Sequence, residues 1–278
     1  MEKEELTVEG QGITAIEDLS HLVNLKHLDL ANNRLAHPDS LNGLAHLKFL
    51  TKLSLAGNRL SEGVGMHLVR MQRLTVLNLA GNDLTFIPPC IEQLKGLKAL
   101  ILNNNCIRSL AGVTLPLNLN SLVLSHNQIE VIEGNDIRHL KNLKSLSLSH
   151  NKLHKFPEGL ALNELKQLRL NDNRLTSIPG LPANIEILDL GNNLFTASSL
   201  LADLQNLSML KNVNVRGNPG SECKLTNPRL LIVNNQRIIR KKQHNYKQLK
   251  SQRVEKNIKE KDSTHEKKIK KIITKDST

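Results

Sequence analysis

Residues 119–129 read LNSLVLSHNQI, and residues 143–153 read LKSLSLSHNKL. The two segments share leucine at the first, fourth and sixth positions, asparagine at the ninth, and leucine or isoleucine at the end. Leucines two residues apart point to the same side of an extended chain, so each segment predicts a short strand with one buried face. The asparagine indicates a turn, because its side chain can hydrogen-bond backbone groups that a bend leaves without ladder partners.

The same pattern recurs along most of the chain. Nine copies have asparagines between Asn33 and Asn218 that are about 23 residues apart on average. The copies begin at Leu25, Leu50, Leu74, Leu97, Leu119, Leu143, Leu165, Ile185 and Leu210. A degraded copy from Leu6 places Gln11 at the asparagine position. Stacked copies bury leucines that one repeat alone would leave in water, which predicts a parallel sheet on the inside of an arc.

The spacing L-x-x-L-x-L-x-x-N-x-L resembles that of the leucine-rich repeat family from about Leu6 to Asn235. The resemblance implies an α/β fold, a leucine-rich repeat solenoid with a curved parallel sheet on the concave side. It also implies a convex side of mixed short helices and extended segments. We divide the chain into a degraded repeat or cap at 1–24, nine repeats at 25–218, a C-terminal cap at 219–239 and a basic, disordered tail at 240–278.

The segments between the predicted strands differ from one another. Prolines in 83–96 and 152–164 oppose a helix at the start of each segment, and two prolines in 174–187 predict an extended path. The apolar spacing in 61–74 instead predicts a turn or two of helix.

The segment after Asn218 resembles the cap that ends intracellular leucine-rich arrays related to the protein-phosphatase-1 regulator branch. It departs from that pattern at Asn234-Asn235, where those caps carry Asp-Gly. The apolar run from Leu230 to Val233 predicts a last strand that closes the core.

The charge of the chain is concentrated at one end. Residues 229–278 carry 16 of the 38 lysines and arginines but only 5 of the 26 acidic residues, so most of the net charge of +12 lies there. Low apolar density in this tail predicts disorder or a marginal helix, and not a second domain. Three interpretations remain: a solvated tail without a specific task, a nuclear or nucleolar address, and salt-dependent, nonspecific nucleic-acid binding. The candidate targeting or phosphate-contacting residues are Arg240, Lys241, Lys242, Lys267, Lys268, Lys270 and Lys271.

The sequence contains no motif for a phosphate loop, a serine nucleophile elbow or an HExxH zinc site, so we predict a protein that is not an enzyme and takes no cofactor. His126 and His150 occupy equivalent places in adjacent repeats. We expect no carboxylate or cysteine beside them to complete a metal site. Cys106 is expected to fill a turn, and Cys90 lacks a cationic neighbour in sequence that would activate it.

The same features bear on location. No apolar run approaches the roughly 18 residues of a membrane helix, and the acidic amino terminus lacks a secretory signal. The three cysteines are scattered, which is typical of reduced intracellular proteins. We therefore expect an intracellular chain, in the nucleus or nucleolus rather than the cytoplasm, with neither a membrane nor a small-molecule substrate as partner.

The outward positions of the predicted strands are the candidate binding surface. Val76, Ala99, Ile101 and Val123 fall on neighbouring strands and form an apolar patch, which we call the apolar patch throughout. The candidate partner-binding residues are Val76, Asn78, Ala99, Ile101, Ser121, Val123, Ser147 and Arg169. The central column of outward positions has no coherent charge, because it includes Asp29 and Asp189 as well as Arg169. Recognition of nucleic acid by this face is therefore not expected.

These features predict a protein-interaction adaptor or scaffold that binds a protein on its concave face and carries a basic tail for nuclear targeting. One alternative is an assembly factor of ribosomal or chromatin particles that contacts nucleic acid through the tail. A second alternative is a phosphatase-regulator-like subunit held through the concave surface.

Overall fold

The computed structural model describes residues 3–61, 63, 65–221 and 231–232, without the side chains of residues 66, 231 and 232. Its framework is one sheet of eleven parallel strands that follow each other in chain order. The strands are β1 (Glu5–Thr7), β2 (His27–Asp29), β3 (Lys52–Ser54), β4 (Val76–Asn78), β5 (Ala99–Ile101), β6 (Ser121–Val123), β7 (Ser145–Ser147), β8 (Gln167–Arg169), β9 (Ile187–Asp189), β10 (Asn212–Asn214) and β11 (Leu231–Ile232).

Each three-residue strand buries its middle residue. Leu100 of β5 lies beside Leu122 of β6, and both side chains are fully buried. The leucines before and after each strand, such as Leu97 and Leu102, are buried as well. They extend the core around both bends of the coil, and burying one such side chain stabilises the fold by about 1.5–3 kcal/mol. The predicted solenoid is therefore confirmed.

The asparagines hold each turn to the preceding repeat. Nδ2 of Asn105 donates to the carbonyl of Leu102 in its own repeat and to that of Leu79 in the repeat before, both at 3.0 Å. Its Oδ1 accepts the N–H of Leu84 at 3.1 Å. The arrangement recurs at all nine repeat asparagines from Asn33 to Asn218, and these side chains are buried. The predicted turn role is thus confirmed, with each amide satisfying groups in two repeats.

The secondary structure of the convex segments agrees in part with the predictions from their sequences. Helix α1 (Gly65–Leu68) lies in the segment expected to hold a helical turn, and a 3₁₀ helix spans Pro89–Gln93. Residues 174–186 contain no helix, as their prolines predict. A 3₁₀ helix at Pro38–His46, α2 (Gly134–Ile137) and α3 (Ala197–Leu204) were not anticipated individually. The hydroxyl of Thr196 accepts the N–H of Ser199 at the start of α3, which favours a helix there.

The two ends of the array continue the sheet. Strand β1 pairs with β2, and the N–H of Gln11 donates to Oδ1 of Asn33 at 3.0 Å, so the degraded copy occupies a repeat position. The Gln11 side chain is exposed and turns to the carbonyl of Glu9 instead of entering the core. Strand β11 pairs with β10 through Leu231 beside Asn212, within the predicted closing strand. The rest of the predicted cap beyond residue 221, and the whole tail at 240–278, lie outside the described residues.

Helix length also bears on membranes. No helix in the described part of the chain is long and apolar enough to cross a membrane.

Candidate protein-binding face

The first and third residues of each strand project from the concave side, because the middle residue points into the core. The register places Val76 beside Ala99 and Ile101 beside Val123, on strands β4 to β6. All four side chains are half-buried. Adjacent strands lie about 4.8 Å apart, so these residues form one continuous surface. The structure therefore brings together the four residues of the apolar patch.

Polar residues border the apolar patch on both sides. Asn78 lies beside Ile101, and Ser121 lies beside Ala99. Both side chains are half-buried, and Oδ1 of Asn78 accepts the N–H of Ala80 at 3.1 Å. An apolar centre with a polar border is the usual composition of a protein-binding surface.

Ser147 differs from the other candidate binding residues. Only 7% of it is exposed, and its Oγ lies 2.7 Å from Oγ of Ser125 in the neighbouring repeat. Serine side chains are short, and the hydrogen bond holds this one against the sheet. Ser147 therefore contributes a small, already paired hydroxyl to the face.

Arg169 is exposed at the outward position of β8. It lies between Ser147 and Asp189 in the register. Oδ1 of Asp189 accepts from Nδ2 of Asn214 at 2.8 Å and from the N–H of Gly191 at 3.1 Å, so its carboxylate is engaged on the side of β10. Within the described residues, Arg169 has no carboxylate at ion-pair distance. It borders a concave recess of about 250 Å³ that Arg216 also lines.

A row of lysines along the sheet was missed by reasoning from the outward strand positions alone. These lysines immediately precede strands, where each N–H bonds to the corresponding carbonyl of the preceding repeat, as Lys166 does to Lys144 at 3.0 Å. We call this row the lysine rim; it consists of Lys98, Lys144, Lys166 and Lys211. The signal in the sequence is the residue after the first leucine or isoleucine of each repeat, which is lysine in five of the nine copies. The fifth, Lys26, is left out of the lysine rim because it lies three repeats before Lys98 and is paired with Glu4 at 2.6 Å.

Glu186 forms ion pairs with two lysines of the lysine rim. Glu186 carboxylate oxygens lie 2.6 Å from Nζ of Lys211 and 3.2 Å from Nζ of Lys166. Lys211 and then Lys166 hold the pKa of Glu186 below its usual range. Lys98 and Lys144 have no such partner among the described residues.

The histidines lie on the turn edge of the sheet, immediately before the asparagines. The rings of His126 and His150 stack with centroids 4.0 Å apart and planes at 11°. The expectation that no carboxylate lies beside them is wrong: Asp172 occupies the same place in the next repeat, and its Oδ2 lies 3.2 Å from Nε2 of His150. All three residues have positive φ, which Asp and His tolerate better than most residues. The three residues therefore form a column along the turns.

The column does not make a metal site. The described part of the chain contains no group of three histidine, cysteine, aspartate or glutamate side chains arranged to hold a metal ion. Parallel stacked rings direct their nitrogen lone pairs along separate planes, so they do not converge on one ion.

The two cysteines in the described region differ in burial. Burial raises the pKa of Cys90 to about 11, so its sulfur is a thiol at neutral pH. Cys106 follows the asparagine of its repeat and is half-buried, and its N–H donates to the carbonyl of Leu84 at 2.8 Å. The candidate basic residues of the tail, from Arg240 to Lys271, lie outside the described residues.

Known proteins with similar sequences contain the same repeat. Toll-like receptor 2 of Pan troglodytes is 32% identical over 161 residues, covering 54% of this chain and 19% of the receptor. Human oligodendrocyte-myelin glycoprotein is 32% identical over 138 residues, covering 48% of this chain and 31% of the glycoprotein. The chain thus spans less than a third of the length of these relatives.

Solved structures show the same architecture. Internalin C2 of Listeria monocytogenes aligns with a TM-score of 0.56 and 26% identity, covering 76% of this chain and 79% of the internalin. The functional domain of InlJ from the same organism aligns with a TM-score of 0.61 and 23% identity, covering 82% of this chain and 52% of that one.

Family profiles match the repeats directly. A profile described as leucine rich repeat matches four overlapping windows between residues 50 and 175, and a second matches residues 24–44. Together the matches cover more than half of the chain. With the repeated strand, the buried asparagine and the eleven-stranded parallel sheet, they show that this chain belongs to the leucine-rich repeat family.

Proposed function

We propose that this chain is a non-enzymatic adaptor that binds another protein on its concave face. The observation that carries the proposal is the apolar patch, where Val76, Ala99, Ile101 and Val123 lie on adjacent strands and remain accessible. Leucine-rich repeat proteins use extended concave surfaces of this kind for binding. The polar border supplies hydrogen-bonding groups around an apolar centre, as in other protein interfaces.

The spread of the apolar patch over three strands also supports a macromolecular partner. The outward residues of β4 to β7 are small or medium in size, and the patch residues lie side by side across neighbouring strands. A small-molecule site is usually a concave pocket that buries most of its ligand. A protein surface can instead cover several strands at once.

The test replaces two patch residues in the full chain, Ile101→Glu with Val123→Glu. Affinity purification followed by mass spectrometry compares the proteins recovered by the variant and by the unchanged chain. The expected result is loss of the specific partner, because two carboxylates would have to be desolvated in the interface. A control variant, Arg108→Glu with Lys155→Glu, likewise introduces two glutamates, but at exposed positions outside the strands. Unchanged partner recovery by the patch variant would remove this face from the proposal.

We propose in addition that the tail directs the protein to the nucleus. The support is compositional: basic clusters at Arg240–Lys242 and at Lys267–Lys271 in a segment that carries most of the net charge. Deletion of residues 241–278 is expected to abolish nuclear accumulation and leave partner recovery intact. Loss of co-purified RNA on deletion, with steep salt dependence in the intact protein, would favour the assembly-factor alternative.

A further inference from the structure

The charge on the concave side changes along the array. Four positions at each strand show the change: the residue before the strand, its two outward residues and the residue two positions after its last residue. At these positions, β3 to β10 present seven basic and two acidic side chains. The basic residues are Lys52, Lys98, Lys144, Lys166, Arg169, Lys211 and Arg216, and the acidic ones are Glu186 and Asp189. The same positions of β1 and β2 carry four acidic residues and one lysine. The face that follows the first two strands is therefore electropositive.

The two acidic groups of that basic region are already engaged. Glu186 binds Lys166 and Lys211, and Asp189 accepts from Asn214 and Gly191. Five cations remain without a carboxylate at ion-pair distance among the described residues: Lys52, Lys98, Lys144, Arg169 and Arg216. Their charge is available to a ligand from outside the chain.

Three of these cations lie beside the apolar patch or on the strands that follow it. Lys98 immediately precedes Ala99 at the start of β5. Lys144 is two repeats further along the lysine rim, since backbone hydrogen bonds of 2.8 Å link it through Asn120 to Lys98. Two strand spacings are about 10 Å. Arg169 lies on β8, beyond Ser147, which itself adjoins Val123.

We propose that the concave face binds an extended acidic protein segment, with an apolar side chain on the apolar patch and carboxylates at Lys98, Lys144 and Arg169. This inference rests on the proposed function and adds the chemical class of the partner. A peptide with carboxylates beside an apolar side chain would place the carboxylates at these cations and the apolar side chain on the apolar patch. Such complementarity accelerates association and selects among partners.

The same cations would attract nucleic acid, but the surface between them suits a peptide better. The outward positions of β3 to β10 include no phenylalanine, tyrosine or tryptophan on which bases would stack. The apolar patch offers no hydrogen bond to a phosphate and would be left uncovered by a backbone that follows the lysine rim. The acidic peptide is therefore the favoured ligand, and RNA is a separate outcome of the test.

The experiment selects peptides from a random twelve-residue displayed library on the immobilised full-length chain. Enriched peptides are synthesised, and their affinities are measured by fluorescence polarisation at low and high salt. The face variant carries Lys98→Glu, Lys144→Glu and Arg169→Glu. The control variant carries Arg70→Glu, Arg108→Glu and Lys155→Glu, three exposed residues outside the strands. Both variants change the net charge equally and keep the basic tail, and circular dichroism verifies that each is folded.

The expected result is enrichment of acidic peptides containing apolar residues. Their affinity should fall about tenfold or more on the face variant, stay unchanged on the control variant and weaken with salt. Acidic peptides that bind both variants equally would show capture by another basic segment and overturn the inference. Failure to enrich any peptide would overturn it as well.

Two further outcomes separate this inference from the proposed function. Enriched peptides without acidic residues that still lose affinity on Ile101→Glu with Val123→Glu would refute the acidic partner and leave the binding face in place. The second outcome concerns a labelled twenty-nucleotide single-stranded RNA. The peptide would be refuted as ligand if this RNA bound the unchanged chain more tightly than the peptides do and lost affinity for the face variant.

Discussion

Oδ1 of Asn127 accepts the backbone N–H of Ile107, which lies in the preceding repeat, at 3.0 Å. The same side chain donates through Nδ2 to the carbonyls of Leu102 and Leu124, each at 3.0 Å. One amide therefore satisfies buried backbone groups of two repeats. Since unpaired buried polar groups cost more than a typical hydrogen bond contributes, this position should be sensitive to substitution.

Asn127→Ala should lower the free energy of unfolding by about 2–4 kcal/mol, because it leaves a buried N–H and two carbonyls without this partner. Urea unfolding followed by circular dichroism measures the change. Asn142→Ala is the matched control: its Nδ2 donates to a single carbonyl, that of Leu117, and the residue is exposed. Asn142→Ala should lower the free energy of unfolding by about 0.5 kcal/mol or less. Equal losses in the two variants would contradict the bridging role.

His150→Val should destabilise the fold by about 1–2 kcal/mol, because φ at this position is +53° and a β-branched side chain is strained there. His150→Gly should be less destabilising than His150→Val, since glycine adopts positive φ without steric cost. Lys152→Val is the control, because Lys152 is exposed and not among the positive-φ residues. Thermal unfolding of the three variants gives the order, and a Lys152→Val effect as large as that of His150→Val would refute backbone strain as the cause.

Asp203 of α3 should make stability depend on pH. Desolvation raises the pKa of its carboxyl, although the hydrogen bond from the N–H of Ile178, at 2.8 Å, acts in the opposite direction. Because the folded pKa exceeds the unfolded one, the stabilising contribution is complete below the unfolded pKa and is lost as the pH rises through the folded pKa. Ionisation of Asp203 is therefore less favourable in the folded chain than in the unfolded one, and the charged carboxylate destabilises the fold at pH 7.

Asp203→Asn should accordingly raise the urea midpoint at pH 7, since the amide oxygen can still accept the N–H of Ile178 without carrying a charge. The gain should disappear near pH 3, where the aspartate of the unchanged chain is protonated. Glu158→Gln, an exposed replacement of the same chemical type, serves as the control and should show no gain. The quantity compared is the urea midpoint of Asp203→Asn minus that of the unchanged chain. A difference that is smaller at pH 7 than at pH 3 would contradict this account.

The array itself was predictable from the sequence because the repeat is local and periodic. Leucines two residues apart define the buried side of a strand, and the recurring asparagine defines the turn, whatever the neighbouring repeats contain. The register followed from the same alignment, so the contiguity of Ile101 and Val123 could be predicted and is observed. The convex segment at 174–186 was predictable too, because prolines exclude a helix from their own positions.

Features that depend on contacts between repeats required the tertiary structure. Asp172 and His150 stand in different repeats, and only the folded turns bring Oδ2 and Nε2 to 3.2 Å. Ser147 has the sequence position of an exposed residue, yet its neighbours and the hydroxyl of Ser125 leave it buried.

The sequence by itself determined the repeated strand, its buried leucines and its turns, because those follow from the spacing of residues within about 23 positions. The tertiary structure decided which charges on the concave side remain available. Glu186 reaches both Lys166 and Lys211 across neighbouring repeats, whereas no described carboxylate reaches Lys98 or Lys144. Whether a charge is neutralised depends on distances between side chains from separate repeats, and the stacking of the repeats sets those distances.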